Sequence, residues 1–433
     1  MHIHDLIGIG FGPSNIALAI ALQEERQAGR RHVDALFLEK QAGFAWHPGM
    51  LLDHAHMQIS YLKDLATLRN PRSRYTFVNY LHEHGRLPDF INLKTFFPSR
   101  REFSDYLGWA ARQFNDRCVY GEEVVEVLPE HQQGGVVALR VRSRDAQGGM
   151  HERLTRQLVV GIGGTPRLPE CFADVAGDAR VFHSSRYLTG IAANRQARTI
   201  AVIGAGQSAA EIFVDLHNRP EPAQIDMIMR ARTLHPSDDS PFVNGVFNAD
   251  FTDYIFRQDD ATRAGLLSEF HRTNYAAPDL ALIEQIYKIF YEERVARGDR
   301  HQLLCQHQIG AVRARADGIE LVMRDEQRNS ELVRRYDAVV LATGYGREHH
   351  RRLLAELGPH LGDFVVDRNY RLQAGAAFRP AIFLQGACEN THGLSDTLLS
   401  VTALRVQEII DALPVDTAPA AVDAQPRRAA LAG

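Results

Sequence analysis

Near its start the chain reads Leu6-Ile7-Gly8-Ile9-Gly10-Phe11-Gly12-Pro13-Ser14-Asn15. The apolar residues at the beginning of this stretch predict a strand, and the apolar run after Pro13 predicts a helix to about Arg26. Glycines between a strand and a helix let the backbone approach a pyrophosphate, which the free N–H groups and the positive dipole end of the helix bind. Pro13 replaces the third glycine of the usual pattern, and a first helical turn tolerates it because the missing N–H would be unpaired there. The stretch predicts a dinucleotide-binding βαβ unit over residues 3–39.

A second turn of the same kind lies further along the chain, in Ile200-Ala201-Val202-Ile203-Gly204-Ala205-Gly206-Gln207-Ser208-Ala209. Here Ala209 replaces the third glycine, and alanine still allows the helix to pack closely on the strand. A single turn of this type is a weak signal, since it also occurs as an ordinary tight connection. Two such turns, each on an apolar strand, predict a second dinucleotide unit over about residues 199–232.

The two units differ at the end of the strand that follows each turn. The first runs through Val33–Leu38 into Glu39, whereas the second runs through Ile225–Met229 into Arg230, with Arg232 close by. A carboxylate at this position binds ribose hydroxyls and repels a 2′-phosphate, and an arginine attracts one. The chain is therefore expected to hold one dinucleotide without a 2′-phosphate and one NADPH.

Length and composition limit the other possibilities. A chain of 433 residues should contain two or three domains, and a net charge of −4 gives no sign of nucleic-acid binding. The four cysteines are scattered, which argues against a redox dithiol, a zinc site or a disulfide framework. No apolar run approaches the ~18 residues of a membrane span, and no secretory signal is visible, so no membrane contact and a cytoplasmic location are expected.

We expect the first domain to be built from residues 1–165 and 335–413. The NADPH domain would be inserted between them over 166–335, after the Gly161–Pro166 turn, and would include a substrate-binding region over 236–295. Within that region 236–275 looks polar and irregular, and 279–295 looks helical. The Ala- and Pro-rich tail, 414–433, is expected to be disordered.

Further elements are expected along the chain. Helices are expected over 77–81, over 104–114 with Ser104 as N-cap, and over 395–413. Strands are expected over 124–127, 136–141, 158–162, 336–345 and 382–386. The strand over 336–345 ends at Thr343-Gly344 and would return the chain to the first domain.

Many ordered segments resemble one known family, the flavin-dependent N-hydroxylating monooxygenases that act on the side-chain amine of ornithine or lysine in siderophore biosynthesis. The resemblance covers nearly the whole chain apart from the C-terminal tail. The segments that carry it, besides the first glycine turn, are Met57–Leu65, Asn70-Pro71, Phe77–Leu81, Gly206–Glu211, Asp239–Asn244, Thr273–Tyr275, Ala342–Tyr345 and His392–Ser400. The stretch Leu62–Pro71 is most similar to the ornithine branch, with the lysine N6-hydroxylating branch as the alternative.

The resemblance implies an α/β fold with two Rossmann-like domains, one for FAD and one for NADPH, and a small, mainly helical substrate region. It implies that NADPH reduces the flavin, that reduced flavin traps O2 as a C4a-hydroperoxide, and that the amine of L-ornithine takes up one oxygen atom to give N5-hydroxyornithine. The partners implied are the small molecules L-ornithine and O2, and a homo-oligomer, dimer or tetramer, is possible.

The site residues are carried over position by position from the resemblance. The catalytic positions are Gln58 and Asn274. The substrate positions are Lys63, Asn244, Asn274 and Ser400, with Lys63 anchoring the substrate carboxylate. The FAD positions are Gly8, Gly10, Gly12, Pro13, Ser14, Glu39, Lys40, Trp46, His47, Gln58, Thr397, Leu398 and Leu399. The NADPH positions are Gly204, Gly206, Gln207, Ser208, Arg230 and Asn274.

Asparagines are chemically sensible contacts for an amine that must react as a nucleophile. A free ammonium has a pKa near about 10.4, and a neighbouring carboxylate would hold its proton on. An amide oxygen accepts a hydrogen bond from the amine without adding charge. The alternative is that Asn244 and Asn274 only form turns, where asparagine is common.

Ordinary structural roles compete at other positions. Gln58 could bond loop backbone, Lys63 could pair with Asp64, Trp46 could be core, and Arg230 could be a solvated charge. No metal is expected, because the paired histidines at 54/56 and 349/350 lack a convincing third ligand.

Two other functions compete with amine hydroxylation. A two-dinucleotide reductase would need a redox dithiol, which the cysteine spacing does not provide, and a flavin-binding regulatory protein would not need the intact site residues. The signature FxGxxxHxxx(F/Y/W) of related sulfur-, nitrogen- and ketone-oxidising flavoproteins is only poorly imitated by Gly177, His183 and Tyr187. That departure favours the N-hydroxylating branch.

Overall fold

The structure is a computed structural model that describes residues 2–414 of the chain. Its helices are α1 Pro13–Gln27, α2 Phe77–Glu83, α3 Leu87–Leu93, α4 Arg100–Arg112, α5 Tyr187–Ala193, α6 Gln207–His217, α7 Ala249–Phe256, α8 Asp260–Glu269, α9 Leu280–Val295, α10 His349–Leu353, α11 Gly358–Leu361, α12 Glu389–His392 and α13 Thr402–Ala412. No helix among these residues is long and apolar enough to cross a membrane.

Most strands fall into two separate sheets. They are β1 Ile3–Ile9, β2 Ala35–Glu39, β3 Cys118–Tyr120, β4 Glu122–Gln132, β5 Gly135–Asp145, β6 Met150–Val160, β7 Thr165–Pro166, β8 Val181–His183, β9 Thr199–Ile203, β10 Gln224–Ile228, β11 His301–Leu304, β12 His307–Arg315, β13 Gly318–Asp325, β14 Ser330–Tyr336, β15 Ala338–Leu341, β16 Tyr345–Gly346 and β17 Ala381–Leu384.

The first sheet has 7 strands in the order β3-β2-β1-β6-β5-β4, with β17 also paired to β6. The pairs β1–β2, β1–β6 and β6–β17 are parallel, whereas β4, β5 and β6 form an antiparallel meander. The strand order reverses at β1, because β2 lies on one side of it and β6 on the other. A crevice opens at such a switch point beyond the carboxyl ends of the strands, which is where the first glycine turn lies.

The second sheet repeats this arrangement with 5 parallel strands in the order β11-β10-β9-β15-β8. Here β9 carries the second glycine turn and lies between β10 and β15. The residues of β15 are all buried, as expected for a central parallel strand covered on both faces. Two nucleotide units are therefore present, in agreement with the sequence prediction of an α/β fold with two Rossmann-like units.

The sheet to which β15 belongs corrects one expected domain boundary. The strand expected to return the chain to the first domain pairs instead with β8 and β9 of the second sheet. The return comes after it, where β16 pairs antiparallel with β7, so that Tyr345 lies opposite Pro166. The boundary expected at 335 is therefore placed one strand too early, and the two crossovers between the sheets run side by side.

Several expected elements begin or end elsewhere. The helix expected from Ser104 begins at Arg100, and its N-cap is Ser99, whose hydroxyl accepts from the Glu102 amide. The segment 236–275, expected to be irregular, contains α7 and α8. The helix expected from Ser395 is interrupted, because a short 3₁₀ turn over Leu394–Thr397 precedes α13.

A three-stranded antiparallel sheet, β12-β13-β14, was not anticipated. Its apolar side chains join a core cluster with β9 and β15, so it covers one face of the second sheet. A separate small cluster of Val246, Phe247 and Leu394 joins the helical region to the C-terminal part of the chain. The disorder expected for the tail concerns residues that lie, apart from Pro414, outside the described range.

Candidate active site

A single large cleft of about 2890 Å³ receives both glycine turns. With the exception of Gly8, every site residue expected from the sequence lines it. A Cβ at Gly8 would lie 2.3 Å from the ring of Phe37, so this glycine serves strand packing and does not face the cleft. The fold thus brings together residues from positions 10 to 400.

The first glycine turn is built for close approach of a ligand. Gly10 has φ +83°, and a Cβ there would lie 2.6 Å from the backbone oxygen of Gly161. Gly12 is the N-cap of α1 and leaves the first helical turn without a side-chain cap, and a Cβ at Gly12 would meet no described atom within 4 Å. Free N–H groups beside open space form a fitting site for the pyrophosphate of FAD.

Glu39 lies at the end of β2, buried beneath this turn. One carboxylate oxygen accepts a hydrogen bond from the Phe11 amide and the other from the Gln41 amide, both at 2.8 Å. These bonds fix the carboxylate at the rim of the cleft, where its remaining lone pairs can accept ribose hydroxyls. The expected FAD role of Glu39 therefore fits its position.

Ser14 is held by a buried ion pair that sequence reasoning missed. Arg405 donates to the Ser14 hydroxyl at 3.1 Å and to the carboxylate of Asp396 at 2.9 Å. Both charged side chains are almost fully buried, with 1% and 0% of their side-chain surface exposed. The charges of the pair balance each other, and its hydrogen bond to Ser14 fixes this hydroxyl in the first turn of α1, where a pyrophosphate would bind.

Asn15 and Gln385 join the same turn to the end of β17. The Gln385 amide donates to the Asn15 side-chain oxygen at 2.9 Å, and Asn15 in turn donates to the Gly10 carbonyl at 2.7 Å. The side-chain oxygen of Gln385 is buried and has no partner among residues 2–414, although the residue lines the cleft. An orphaned acceptor of this kind is expected where a ligand supplies the donor.

The second glycine turn has the same construction. Gly204 has φ +145°, and a Cβ there would lie 2.5 Å from the backbone oxygen of Ala342. Gly206 is the N-cap of α6, and no side chain caps this helix. At the end of β10 the exposed Arg230 lines the cleft and makes no salt bridge within the described part of the chain. Its guanidinium is free to bind a 2′-phosphate.

Lys63 faces the cleft, and no described carboxylate serves as its counter-ion. Its half-buried ammonium lies 5.8 Å from the centroid of the Phe247 ring, and burial lowers its pKa. The alternative pairing with Asp64 does not occur. Asp64 is buried and accepts instead from the amides of Ala66, Thr67 and Phe77.

The two expected substrate asparagines both line the cleft but differ in their partners. Asn244 donates its side-chain N–H to the Asp239 carbonyl at 2.7 Å, so it does close a turn, and its amide oxygen has no partner in the described range. Asn274 makes no side-chain hydrogen bond with any described residue. Both therefore keep an acceptor available to a ligand amine.

Ser400 has a buried hydroxyl, 2% exposed, without a hydrogen-bond partner in residues 2–414. Such a group costs about 1–3 kcal/mol unless something binds it. Because Ser400 lines the cleft beside Thr397, Leu398 and Leu399, a ligand is the natural partner.

The aromatic segment expected on the flavin side belongs to the lining of the same cleft. Trp46 is half-buried, packs against Phe103 with ring centroids 5.9 Å apart, and also lines the cleft, so core packing and ligand contact are compatible. His47 opens to the cleft, and enclosure by the walls together with the positive charges of Arg100 and Arg347 lowers its pKa. It is therefore neutral near neutral pH. Gln58 is exposed to the cleft and donates to Asp279 at 3.1 Å.

Thiol chemistry does not fit the cleft. Cys118, Cys171, Cys305 and Cys388 are all free. Cys171 and Cys388 line the cleft, and burial raises the pKa of both thiols, that of Cys388 well above its ordinary value. A thiol that stays protonated is a poor nucleophile. The reductase alternative therefore loses its redox group at this site.

Among residues 2–414, two clusters of possible metal ligands lie outside the cleft. One is His2, His4 and Asp34, and the other is His217, Glu293 and His301. In the second, His301 Nδ1 accepts from the Ile225 amide, and its Nε2 lies 3.0 Å from His217 Nδ1. A neutral imidazole with one nitrogen already accepting carries its proton on the other, which explains the cluster as a hydrogen-bonded group.

Comparisons with known proteins agree with this geometry. A family model described as L-lysine 6-monooxygenase/L-ornithine 5-monooxygenase matches residues 2–347. The chain is 51% identical to the L-ornithine N(5)-monooxygenase of Pseudomonas aeruginosa over 415 residues, which covers 95% of this chain and 94% of the relative.

Comparison with solved structures points to the same family. The ornithine hydroxylase of Pseudomonas aeruginosa superposes with a TM-score of 0.92 at 51% identity, covering 95% of this chain and 99% of that one. The ornithine N-hydroxylase of Kutzneria sp. 744 gives a TM-score of 0.88 at 36% identity, covering 95% and 99% of the two chains. That second structure holds reduced FAD, NADP+ and L-ornithine.

Proposed function

The chain belongs to the L-lysine 6-monooxygenase/L-ornithine 5-monooxygenase family, and from this we propose that it converts L-ornithine to N5-hydroxyornithine. It is a flavin-dependent N-hydroxylating monooxygenase that uses FAD and NADPH. The overall reaction consumes NADPH, a proton, O2 and the amine, and it yields the hydroxylamine, NADP+ and water. One oxygen atom enters the N–O bond, and the other leaves as water.

Bound FAD supplies the transfer of electrons from NADPH to O2, and the chain supplies placement, charge and exclusion of water. In our proposal the first turn, with Ser14 and Glu39, holds FAD, while Gln207, Ser208 and Arg230 hold NADPH. Hydride transfer requires the nicotinamide ring of NADPH to reach the flavin ring of FAD, so the two cofactors must bind in one cleft. This shared cleft is the observation that carries the proposal.

The substrate would lie between the two nucleotides. Lys63 offers an unpaired ammonium to the substrate carboxylate, and the amide oxygens of Asn244 and Asn274 offer acceptors to its amine. A neutral acceptor does not hold the amine in its protonated form, so the nitrogen lone pair stays available for the reaction. Ser400, with its unpartnered hydroxyl, would complete the set of contacts.

Ornithine is preferred over lysine on two grounds. The stretch Leu62–Pro71 resembles the ornithine branch, and the relatives that match nearly full length at about half identity are named for ornithine. A hydroxylated ornithine is a building block for hydroxamate siderophores, which is the role we propose for the product. We also propose a cytoplasmic location, since free cysteines suit a reducing compartment.

A homo-oligomer, dimer or tetramer, is part of the proposal as well. Helix α9 presents Tyr287, Tyr291 and Val295 to solvent, with 70%, 59% and 67% of their surfaces exposed. Self-association would cover such a face. Sedimentation velocity at several protein concentrations tests it, and a purely monomeric species would count against it.

The activity is tested with purified protein loaded with FAD. We expect NADPH oxidation that ornithine stimulates, together with formation of a hydroxylamine in nearly equal amount. Protein that binds FAD and oxidises NADPH without forming any hydroxylamine would contradict the proposed function.

A further inference from the structure

Asp279 occupies the N-cap position of α9 but does not cap the helix. Its backbone has the extended ψ of 141° typical of an N-cap, and yet its side chain accepts no hydrogen bond from the first turn. By contrast, Asp259 and Ser99 cap α8 and α4 in the ordinary way, accepting from Thr262 and Glu102. An unused Asp cap forgoes about 1 kcal/mol of helix stability, which suggests that the carboxylate is engaged elsewhere.

The carboxylate of Asp279 instead joins two amide side chains. One oxygen accepts from the Gln58 side-chain nitrogen at 3.1 Å, and the other accepts from the Gln207 side-chain nitrogen at 2.9 Å. The Asp279 backbone N–H donates to the Gln207 side-chain oxygen, also at 2.9 Å. Both the nitrogen and the oxygen of the Gln207 side-chain amide are therefore hydrogen-bonded to Asp279.

The contacts continue through the first turn of α6. Gln207 donates also to Glu211 at 2.9 Å, and Arg100 binds both oxygens of Glu211 at 2.8 Å. Arg100 further donates to the Met50 carbonyl at 3.1 Å. Gln58, Arg100 and Met50 belong to the first half of the chain, whereas Gln207, Glu211 and Asp279 belong to the NADPH unit. The network therefore crosses between the two nucleotide units.

A carboxylate can only accept hydrogen bonds, and this fixes the orientation of both amides. Gln58 must turn its nitrogen to Asp279, which leaves its carbonyl oxygen and one N–H for the cleft. Gln207 must turn its nitrogen the same way, at the helix start expected to bind the NADPH pyrophosphate. Asp279 thus sets which amide atoms Gln58 presents to the cleft. Both side-chain N–H groups of Gln207 are already donated, to Asp279 and to Glu211, so Gln207 would donate to the NADPH pyrophosphate through its backbone N–H.

We propose that Asp279 is a positioning residue that couples the NADPH site to the flavin site, orienting Gln58 through the same carboxylate that holds Gln207. This inference rests on the proposed function, because it gives Gln58 a role beside the flavin. Its consequence is that correct orientation of Gln58 keeps NADPH oxidation linked to amine hydroxylation. Without it, electrons from NADPH pass to O2 and leave as hydrogen peroxide in place of hydroxylated product.

Two substitutions separate positioning from folding. Asp279→Asn keeps the shape and the N-cap preference but has only one accepting oxygen, so one glutamine must turn over or lose its partner. Asp279→Ser also keeps the N-cap preference, while its side chain is too short to reach both amides. Glu284→Gln, an exposed carboxylate on the same helix, is the matched control.

The readouts are hydroxylamine formed per NADPH consumed, hydrogen peroxide released, the ornithine KM and the thermal midpoint. We expect the rate of hydroxylation to fall about tenfold in both Asp279 variants, as for loss of one hydrogen bond to a charged group. NADPH oxidation should fall less, so that peroxide release rises. The ornithine KM and the thermal midpoint should stay near those of the wild type and of Glu284→Gln.

A double-substitution experiment tests whether Asp279 acts through Gln58. In a Gln58→Ala background, Asp279→Ser should have little further effect on product per NADPH, because the group it orients is gone. Two results would overturn the inference while wild-type hydroxylation stands. One is that the effects of Gln58→Ala and Asp279→Ser on product per NADPH are fully additive, and the other is that both Asp279 variants form as much product per NADPH as the wild type. Wild-type protein that forms no hydroxylamine would instead overturn the proposed function and the inference with it.

Discussion

The ammonium of Lys63 lies 5.8 Å from the centre of the Phe247 ring, on a wall of the cleft shared by both glycine turns. Phe247 belongs to the helical region of the NADPH unit, and Lys63 belongs to the first half of the chain. The contact brings a half-buried cation to the junction of the two units without giving it a carboxylate partner from the described residues. A substrate carboxylate is the group that this arrangement lacks.

Replacing Lys63 should therefore weaken substrate binding selectively. Lys63→Ala removes one charged hydrogen bond, worth about 1.5–3 kcal/mol, so we expect the ornithine KM to rise about ten- to hundredfold. Reduction of the flavin by NADPH should change little. Lys288→Ala, which alters a surface lysine 3.6 Å from Glu292, is the control. Collapse of flavin reduction in Lys63→Ala would refute the role of carboxylate anchor.

Arg230 should discriminate between the two nicotinamide nucleotides. Arg230→Ala is expected to lower kcat/KM with NADPH by about ten- to hundredfold, because the 2′-phosphate loses a charged donor. Activity with NADH should hardly change, since NADH lacks that phosphate. Arg232→Ala, two residues along and also exposed, is the matched variant. Equal losses with NADPH and NADH would contradict the assignment.

Ser400 should show opposite effects on stability and binding. Ser400→Ala removes a buried hydroxyl that has no partner among residues 2–414, so the free energy of unfolding of the ligand-free protein should stay level or rise by up to about 1–3 kcal/mol. Affinity for the ligand that binds this hydroxyl should fall in the same variant. Urea titrations with and without ornithine measure both effects. A less stable ligand-free protein would mean that the hydroxyl has a structural partner.

The contact between Tyr275 and Glu389 predicts a pH dependence of stability. Tyr275 donates to the Glu389 carboxylate, and burial raises the pKa of Glu389 above its ordinary value of 4.5. A raised folded-state pKa gives stability that is present below the unfolded pKa and is lost as the pH rises through the folded pKa. Glu389→Gln cannot ionise, so its stability should not fall in this way as the pH rises.

The measurement is the difference in thermal midpoint between Glu389→Gln and wild type, with saturating FAD. This difference should be more favourable to the variant at about pH 8 than at about pH 5. Subtraction cancels the titration of groups that both proteins share. A difference that stays constant over this range would show that Glu389 titrates as it does in the unfolded chain.

Sequence reasoning succeeded where a local pattern determines the chemistry. Gly10 and Gly204 adopt backbone angles that other residues rarely tolerate. Glu39, at the end of β2, and Arg230, just after β10, both line the cleft. The family, the α/β fold, the cofactors and the ornithine activity are confirmed. The roles of Lys63, Asn244, Asn274 and Ser400 stay predictions, although the fold brings all of them to one cleft.

Contacts between distant segments could not be predicted in the same way. Ser14 and Arg405 are 391 positions apart, and nothing in the local sequence marks Arg405 as buried. Asp279 looks like an ordinary helix cap until Gln58 and Gln207 are placed beside it. The strands β12 and β14 were not predicted from the sequence. Because they carry several arginines on exposed positions, the alternation of apolar and polar residues that marks a strand is hard to see in them.

The substrate assignment is tested most directly by competition. The FAD-loaded enzyme is given NADPH, O2 and equal concentrations of L-ornithine and L-lysine, and the products are identified by mass spectrometry. We predict that hydroxyornithine dominates, with a mass one oxygen atom above that of ornithine. A product dominated by hydroxylysine would contradict the ornithine assignment.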